Sequence, residues 1–256
     1  MGLNNNTLDF YLELAKGLVP KHVGINKFGS NRDIDTGSDP ETIWSAGGLY
    51  VFPSSADTLK IISNDVDDNG TGTTGALTIK VQGLDTNYDT IEEDFTLNGQ
   101  TAVTGNKEFL RVYRAFVTSA GSSEYNEGVI TINNSDDSLT LATIAAENGQ
   151  TQMAIYTVPR NHKAYLTNLS GAIVKGAGAA TSADIQYYSR KNGVIRLHQQ
   201  ISLDSTGTSE FNKTYAIPLS FEEKTDLYAE ALVGANNTSV FVNFGIIVVD
   251  QSAKYQ

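Results

Sequence analysis

Apolar residues recur at helical spacing in one place, near the start of the chain. Leu8, Tyr11, Leu12, Ala15 and Leu18 follow an i, i+3, i+4, i+7 pattern, and Phe10 and Leu14 widen the apolar face. Asn6 or Thr7 can cap the first turn and Gly17 can end the helix. An isolated helix of about three turns is marginal in water, so this one needs a surface to pack on. The stretch that follows, residues 24–39, is rich in Gly, Asn, Asp and Ser and reads as an extended arm.

From Trp44 onward the pattern is β. Strands are expected at 49–52, 58–63, 76–82, 90–97, 109–118, 128–133 and 139–145. Turn chemistry at Asp68-Asn69-Gly70, Asn98-Gly99, Gly105-Asn106 and Asn133-Asn134-Ser135 separates them. A second series is expected at 152–158, 163–175, 183–190, 195–203, 208–217, 226–233 and 239–249. The last of these is almost continuously apolar, which predicts cover on both faces. Glu147-Asn148-Gly149-Gln150 marks a boundary. The expected architecture is all-β: two antiparallel, jelly-roll-like β-sandwiches preceded by an N-terminal helix and an extended arm. The expected divisions are 1–43 for helix and arm, 44–148 for an acidic sandwich and 149–256 for a second sandwich.

Composition narrows the function classes. The chain of 256 residues has no cysteine, which removes disulfides, thiolate zinc sites and cysteine nucleophiles. The net charge of −11 is unevenly spread. Seventeen acids face five bases between Asp35 and Ala145, whereas eight acids and nine bases lie between Gln150 and Gln256. That asymmetry predicts an acidic half held in solvent and a near-neutral half free to touch a partner. No basic cluster suits nucleic-acid phosphates. No apolar run is long enough to span a bilayer as a helix. The first residues carry neither a signal-peptide nor a myristoylation pattern, so no membrane partner is expected.

Several short motifs suggest chemistry. Asp65, Asp67, Asn69 and Gly70 match the opening of a calcium loop, in which alternate oxygens converge on one ion. The glutamate that completes the motif is replaced by Ala76, and the flanks read as strands. An acidic hairpin loop is the simpler reading, with Asp65, Asp67 and Asn69 kept as candidate calcium ligands. No other cofactor is expected. Ile34-Asp35-Thr36-Gly37-Ser38 matches an aspartic-protease core without its apolar strand, and reads as a turn. Gly176-Ala177-Gly178 follows a strand but precedes another strand, where a dinucleotide loop requires a helix. His22, His162 and His198 are scattered. Glu92-Glu93-Asp94 could include a carboxylate pair for sugar hydrolysis, or protect a solvated strand. Tyr187-Tyr188 could stack on carbohydrate or pack in a core.

Three segments carry a likeness to a known class. They are Gly75–Asp85 with Tyr88, Phe109–Ser122 closing with Asn126–Ile130, and Tyr156–Pro159 leading to Tyr165–Thr167. Together they resemble virion structural proteins of tailed bacteriophages. The resemblance covers roughly residues 44–250 and supplies no catalytic residues. It implies a head decoration or cement protein on the outer surface of the capsid. Its partners would be the major capsid protein and itself, as a homo-oligomer in the threefold habit of decoration proteins. Leu8, Tyr11, Leu12 and Leu18 would then lie across a neighbour. The alternatives are a tail, fibre or head–tail adaptor component that touches another virion protein or a host glycan, and a glycan hydrolase on a β scaffold.

Overall fold

The computed structural model describes residues 9–72, 74–174 and 181–252. A short helix α1 (Phe10–Ala15) precedes β1 (His22–Ile34) and β2 (Glu41–Thr42). Seven strands follow: β3 (Asp57–Ser63), β4 (Ala76–Leu84), β5 (Thr90–Thr96), β6 (Val103–Phe109), β7 (Arg111–Ala120), β8 (Ile130–Asn134) and β9 (Thr140–Ile144). The chain closes with β10 (Ile155–Thr157), β11 (His162–Val174), β12 (Ser182–Lys191), β13 (Val194–Asp204), β14 (Glu210–Phe221), β15 (Asp226–Val233) and β16 (Thr238–Asp250). Among the described residues no helix is long and apolar enough to cross a membrane.

The strands form two sandwiches. In one, a sheet ordered β1-β16-β11-β14 faces a sheet ordered β10-β15-β12-β13, with β2 also paired to β15. Counted in chain order, with β2 and β10 sharing second place, these sheets run 1-8-3-6 and 2-7-4-5. That is the double Greek-key order of a jelly roll. In the other sandwich β6-β3-β8-β9 faces β5-β4-β7. Alternation drives both. In β12 the inward Ala183, Ile185 and Tyr187 are buried while their neighbours are partly exposed.

The seven-stranded sandwich interrupts an edge strand of the jelly roll. β2 pairs with β15 at Thr42↔Glu230, and β10 pairs with the same edge at Ile155↔Tyr228. Between them the chain leaves and returns side by side. The Ala154 N–H donates to the Ile43 carbonyl at 2.9 Å, and Trp44 bridges Met153. β1 crosses directly beneath this junction at Gly29. A Cβ there would lie 2.3 Å from both the Ala154 nitrogen and the Ile43 oxygen, so only glycine fits.

Residues 24–34, expected as part of an extended arm, are thus within the edge strand β1, paired with β16 from His22↔Val249 onward. Its polar composition concealed it: Lys27, Ser30 and Asn31 are buried. β6 was concealed in the same way, because Gly105-Asn106 reads as a turn. In the fold, Gly105 lets the strand pass over Phe95, whose ring would lie 2.8 Å from an added Cβ. Residues 49–52, expected as a strand, form none. Tyr50 and Phe52 instead join an edge-to-face aromatic cluster with Trp44 and Tyr228. The helix is shorter than expected. Asp9 caps it by accepting from the Tyr11 N–H at 3.1 Å, and Gly17, at φ 71°, follows its C-cap.

The strand covered on both faces is β15 rather than β16. Leu227, Ala229 and Ala231 enter the jelly-roll core, whereas Tyr228 enters the core of the inserted sandwich. β10 is divided in the same way between Tyr156 and Ile155. One sheet therefore separates two hydrophobic cores, and the two sandwiches share it. β16 alternates instead: Val240, Val242, Phe244, Ile246 and Val248 are buried, while Asn243 faces solvent.

Candidate functional site

The acidic loop between β3 and β4 is built around Asp68, which the calcium pattern passes over. Asp68 is fully buried. Its carboxylate accepts from the Ser63 hydroxyl at 2.6 Å and from the N–H groups of Ala76, Glu127 and Gly128 at 2.8, 2.9 and 2.9 Å. The site pins three chain segments to one anion. Around it, Asp65 Oδ1 accepts from the Asp67 N–H at 2.9 Å, and Asn69 Oδ1 accepts from the Thr71 N–H at 3.0 Å. Asp65 and Asn69 therefore act as turn formers, and Asp67 is exposed. Among the described residues, no group of three or more His, Cys, Asp or Glu side chains is placed to hold a metal ion.

The junction of the two sandwiches holds a buried ion pair. Arg111 on β7 donates to Asp226 on β15 through Nε at 2.8 Å and Nη2 at 3.1 Å. Its Nη1 donates to the carbonyls of Pro53 and Leu110. The Thr157 hydroxyl donates to Asp226 at 2.7 Å. Burial alone would lower the Arg111 pKa, but the Asp226 hydrogen bonds and charge outweigh it and hold the guanidinium above its ordinary value. Two guanidinium groups lie against the Phe52 ring, Arg111 at 5.4 Å and Arg190 at 5.2 Å from its centroid. Nε, Nη1 and Nη2 of Arg111 all donate to acceptors on other segments, so the cluster is a structural clamp.

Apolar side chains without a partner lie at opposite edges of the jelly roll. At the β1 edge, α1 is anchored by Leu14, which rests against Gly24. Tyr11, Leu12 and Leu18, three of the predicted contact residues, are 59%, 51% and 63% exposed. Leu8, the fourth, lies outside the described residues. At the other edge, β13 and β14 are the outermost strands of their sheets and carry exposed Val194, Ile195, Leu197 and Ile217, the last 85% exposed. Sequence patterning predicted these two strands but not their exposure, because an exposed and a buried apolar residue look alike in a strand pattern.

The remaining motifs are dispersed. Asp35 accepts from the Asn237 N–H in a loop. His22 and His162 each bond a nearby main-chain carbonyl, and His198 bonds Ser189 at 2.7 Å. The Glu92 carboxylate is bonded to Lys80 at 2.6 Å, and Glu93 accepts from the N–H groups of Asn106 and Lys107. Tyr187 is buried in the jelly-roll core, and Tyr188 stacks on Tyr228. Gly176-Ala177-Gly178 lies outside the described residues.

No family model matches the chain, and no curated protein does. Among solved structures, the infectious bursal disease virus VP2 subviral particle matches with a TM-score of 0.25 and 10% identity, over 96% of this chain and 79% of that one. The structure of infectious bursal disease virus Gx strain matches with a TM-score of 0.21 and 9% identity, over 92% and 77%. Scores this low carry no functional weight. What the strand order itself defines is an all-β protein, a jelly roll with a second sandwich inserted at one edge strand.

Proposed function

We propose that this protein is a virion structural component that decorates or cements a phage head by bridging neighbouring coat subunits. The observation that carries this reading is the pair of unpartnered apolar patches at opposite edges of one jelly roll: Tyr11 and Leu12 on α1 with Leu18 just beyond it, and Val194, Ile195, Leu197 and Ile217 on β13 and β14. A protein with two such patches can touch two neighbours at once. Exposed apolar groups of this kind gain by being covered. The acidic inserted sandwich supports the reading, since it suits a solvent-facing layer and resists nonspecific self-association. The jelly roll itself is common in capsid domains but also in lectins and cupins, so the patches count for more than the fold.

The test is cosedimentation with empty heads. The full chain binds, and a chain lacking residues 1–18, or one carrying Ile195→Asp and Ile217→Asp, binds at least about tenfold more weakly, as expected when two or more buried apolar side chains are lost. Unchanged binding by both variants would refute the bridge.

A second reading, a tail or fibre component that holds a host glycan, is favoured by a shallow depression of about 380 Å³ on the outer face of the β1-β16-β11-β14 sheet. Phe241, Asn212, Asn243 and Glu210 line it, a ring and polar groups of the kind that hold sugars. Binding of host polysaccharide, lost in Phe241→Ala, would select this reading over the first.

A further inference from the structure

A cleft of about 440 Å³ opens between the two sandwiches, where β1 of the jelly roll faces β4 and β7 of the insert. Lys27, Asn26, Gln82, Tyr113, Arg114 and Gln150 line it. Its size is that of a small-ligand site. Lys27 is only 8% exposed, and its ammonium donates to the Tyr113 main-chain carbonyl. Arg114 lies beside it, stacked 4.5 Å over the Phe116 ring, with one weak bond at 3.4 Å to Gln150. Among the described residues neither cation has a carboxylate partner. The acid nearest in effect is Glu92, which acts on Tyr113, and its carboxylate is already bonded to Lys80 and Gln82.

Burying a cation beside another cation is costly. A chain with a surplus of acids has many carboxylates with which to neutralise such a pair, and here it supplies none. We propose that the cleft binds a small oxyanion, a carboxylate or a phosphate, between Lys27 and Arg114, with the Gln82 and Gln150 amides as further donors. The site belongs to neither sandwich alone. Its occupant would bridge them, in addition to the Arg111–Asp226 pair and the Lys27–Tyr113 bond, and would add to their rigidity.

Burial, with a smaller contribution from Arg114, lowers the Lys27 pKa to about 7. The groups that face it from the other elements are Arg114 and Tyr113 on β7 and Gln82 on β4, with Gln150 beyond them. An oxyanion favours the protonated amine, so affinity falls as pH rises through about 7.

The experiment titrates inorganic phosphate and acetate, each against chloride at constant ionic strength. The readouts are melting temperature and the NMR signal of the Lys27 ε-methylene, assigned by its absence in Lys27→Met. Expected are a saturable shift of that signal and a rise in melting temperature with at least one probe. Arg114→Gln weakens the effect at least about tenfold, the cost of one charged hydrogen bond or more. Lys27→Met, an apolar side chain of similar length in a buried position, folds and shows no anion-dependent melting shift. If the natural oxyanion is a carboxylate of a neighbouring protein, phosphate also competes with head binding; if it is a free ion, head binding is unaffected. The proposal is overturned if neither probe moves the Lys27 signal beyond the chloride control, or if both variants respond as the wild type does.

Discussion

Arg111 and Asp226 offer the sharpest test of how the two sandwiches are joined. Both side chains are almost fully buried, at 7% and 5% exposure. Removing one partner of a buried ion pair leaves an uncompensated charge and costs about 3–5 kcal/mol. The two single variants should differ. In Arg111→Met, Asp226 keeps its bond from Thr157, and Arg190, at 3.8 Å, can move closer, so the loss falls at the lower end. In Asp226→Leu, Arg111 stays buried with only two carbonyl acceptors, beside Arg190, and the loss falls at the upper end. At about 2–4 °C per kcal/mol for a chain near this size, these losses lower the melting temperature by roughly 6–20 °C. The double variant Arg111→Met with Asp226→Leu removes both charges and should be more stable than Asp226→Leu alone. Urea unfolding followed by circular dichroism, alongside thermal melts, measures all four proteins. Additive losses in the double variant, or single losses below about 1 kcal/mol, would show that the pair is not the clamp described here.

Three further outcomes are expected. Asp68→Ala leaves three N–H groups and a hydroxyl without their acceptor, and destabilises the protein by about 3 kcal/mol or more, whereas Asp67→Asn changes it by less than about 0.5 kcal/mol; urea titration separates the two. Burial raises the Glu230 pKa from 4.5 to about 7, against a smaller lowering by its hydrogen bond with Thr42, so its stabilising contribution is complete below about pH 4.5 and is lost as pH rises toward 7. Lys27, lowered from 10.5 to about 7, contributes stability that is complete above about pH 10.5 and is lost as pH falls toward 7. Together they place the lowest point of their joint contribution near pH 7, and melts across pH 5–10 should find the first slope missing in Glu230→Gln and the second in Lys27→Met. Among the described residues, deleting residues 1–18 removes one buried side chain, Leu14, and leaves the fold intact, whereas deleting residues 1–34 removes β1 and yields a chain without a cooperative melt.

Where one face of a strand is buried and the other wet, alternation declared it. β3, β4 and β12 begin and end within two residues of where the pattern placed them. Polar strands were illegible. β1 carries Asn26, Lys27, Ser30, Asn31, Arg32 and Asp33, and its place in the sheet is set by its ladder to β16 and by the junction above Gly29. Such long-range pairing leaves no local periodicity. The same limit hid both charged sites. Asp68 stood inside a motif that drew attention to its neighbours, because turn formers and a buried anion trap share the same letters. Lys27 lies 87 residues from Arg114, and only the insertion of one sandwich into the other brings them to one cleft.

That insertion also links the fold to the proposed role. A sandwich tethered by a flexible linker would leave its acidic face free to swing. Here both connections pass through one split edge strand, and the shared sheet buries Ile155 and Tyr228 in the insert while Tyr156 and Leu227 fill the jelly roll. A tilt of the insert would have to open one of the two cores, expose the aromatic cluster around Phe52 and break the Arg111 pair. Each of those steps costs kcal/mol, and they occur together. The acidic layer is therefore held at a fixed angle to the two apolar patches. A protein that bridges neighbours needs this geometry, because one face must stay in solvent while the edges meet their partners. Under the proposed bridging role, stiffness at the junction and contact at the edges are separable: loosening Arg111 should weaken head binding even though every patch residue is still present.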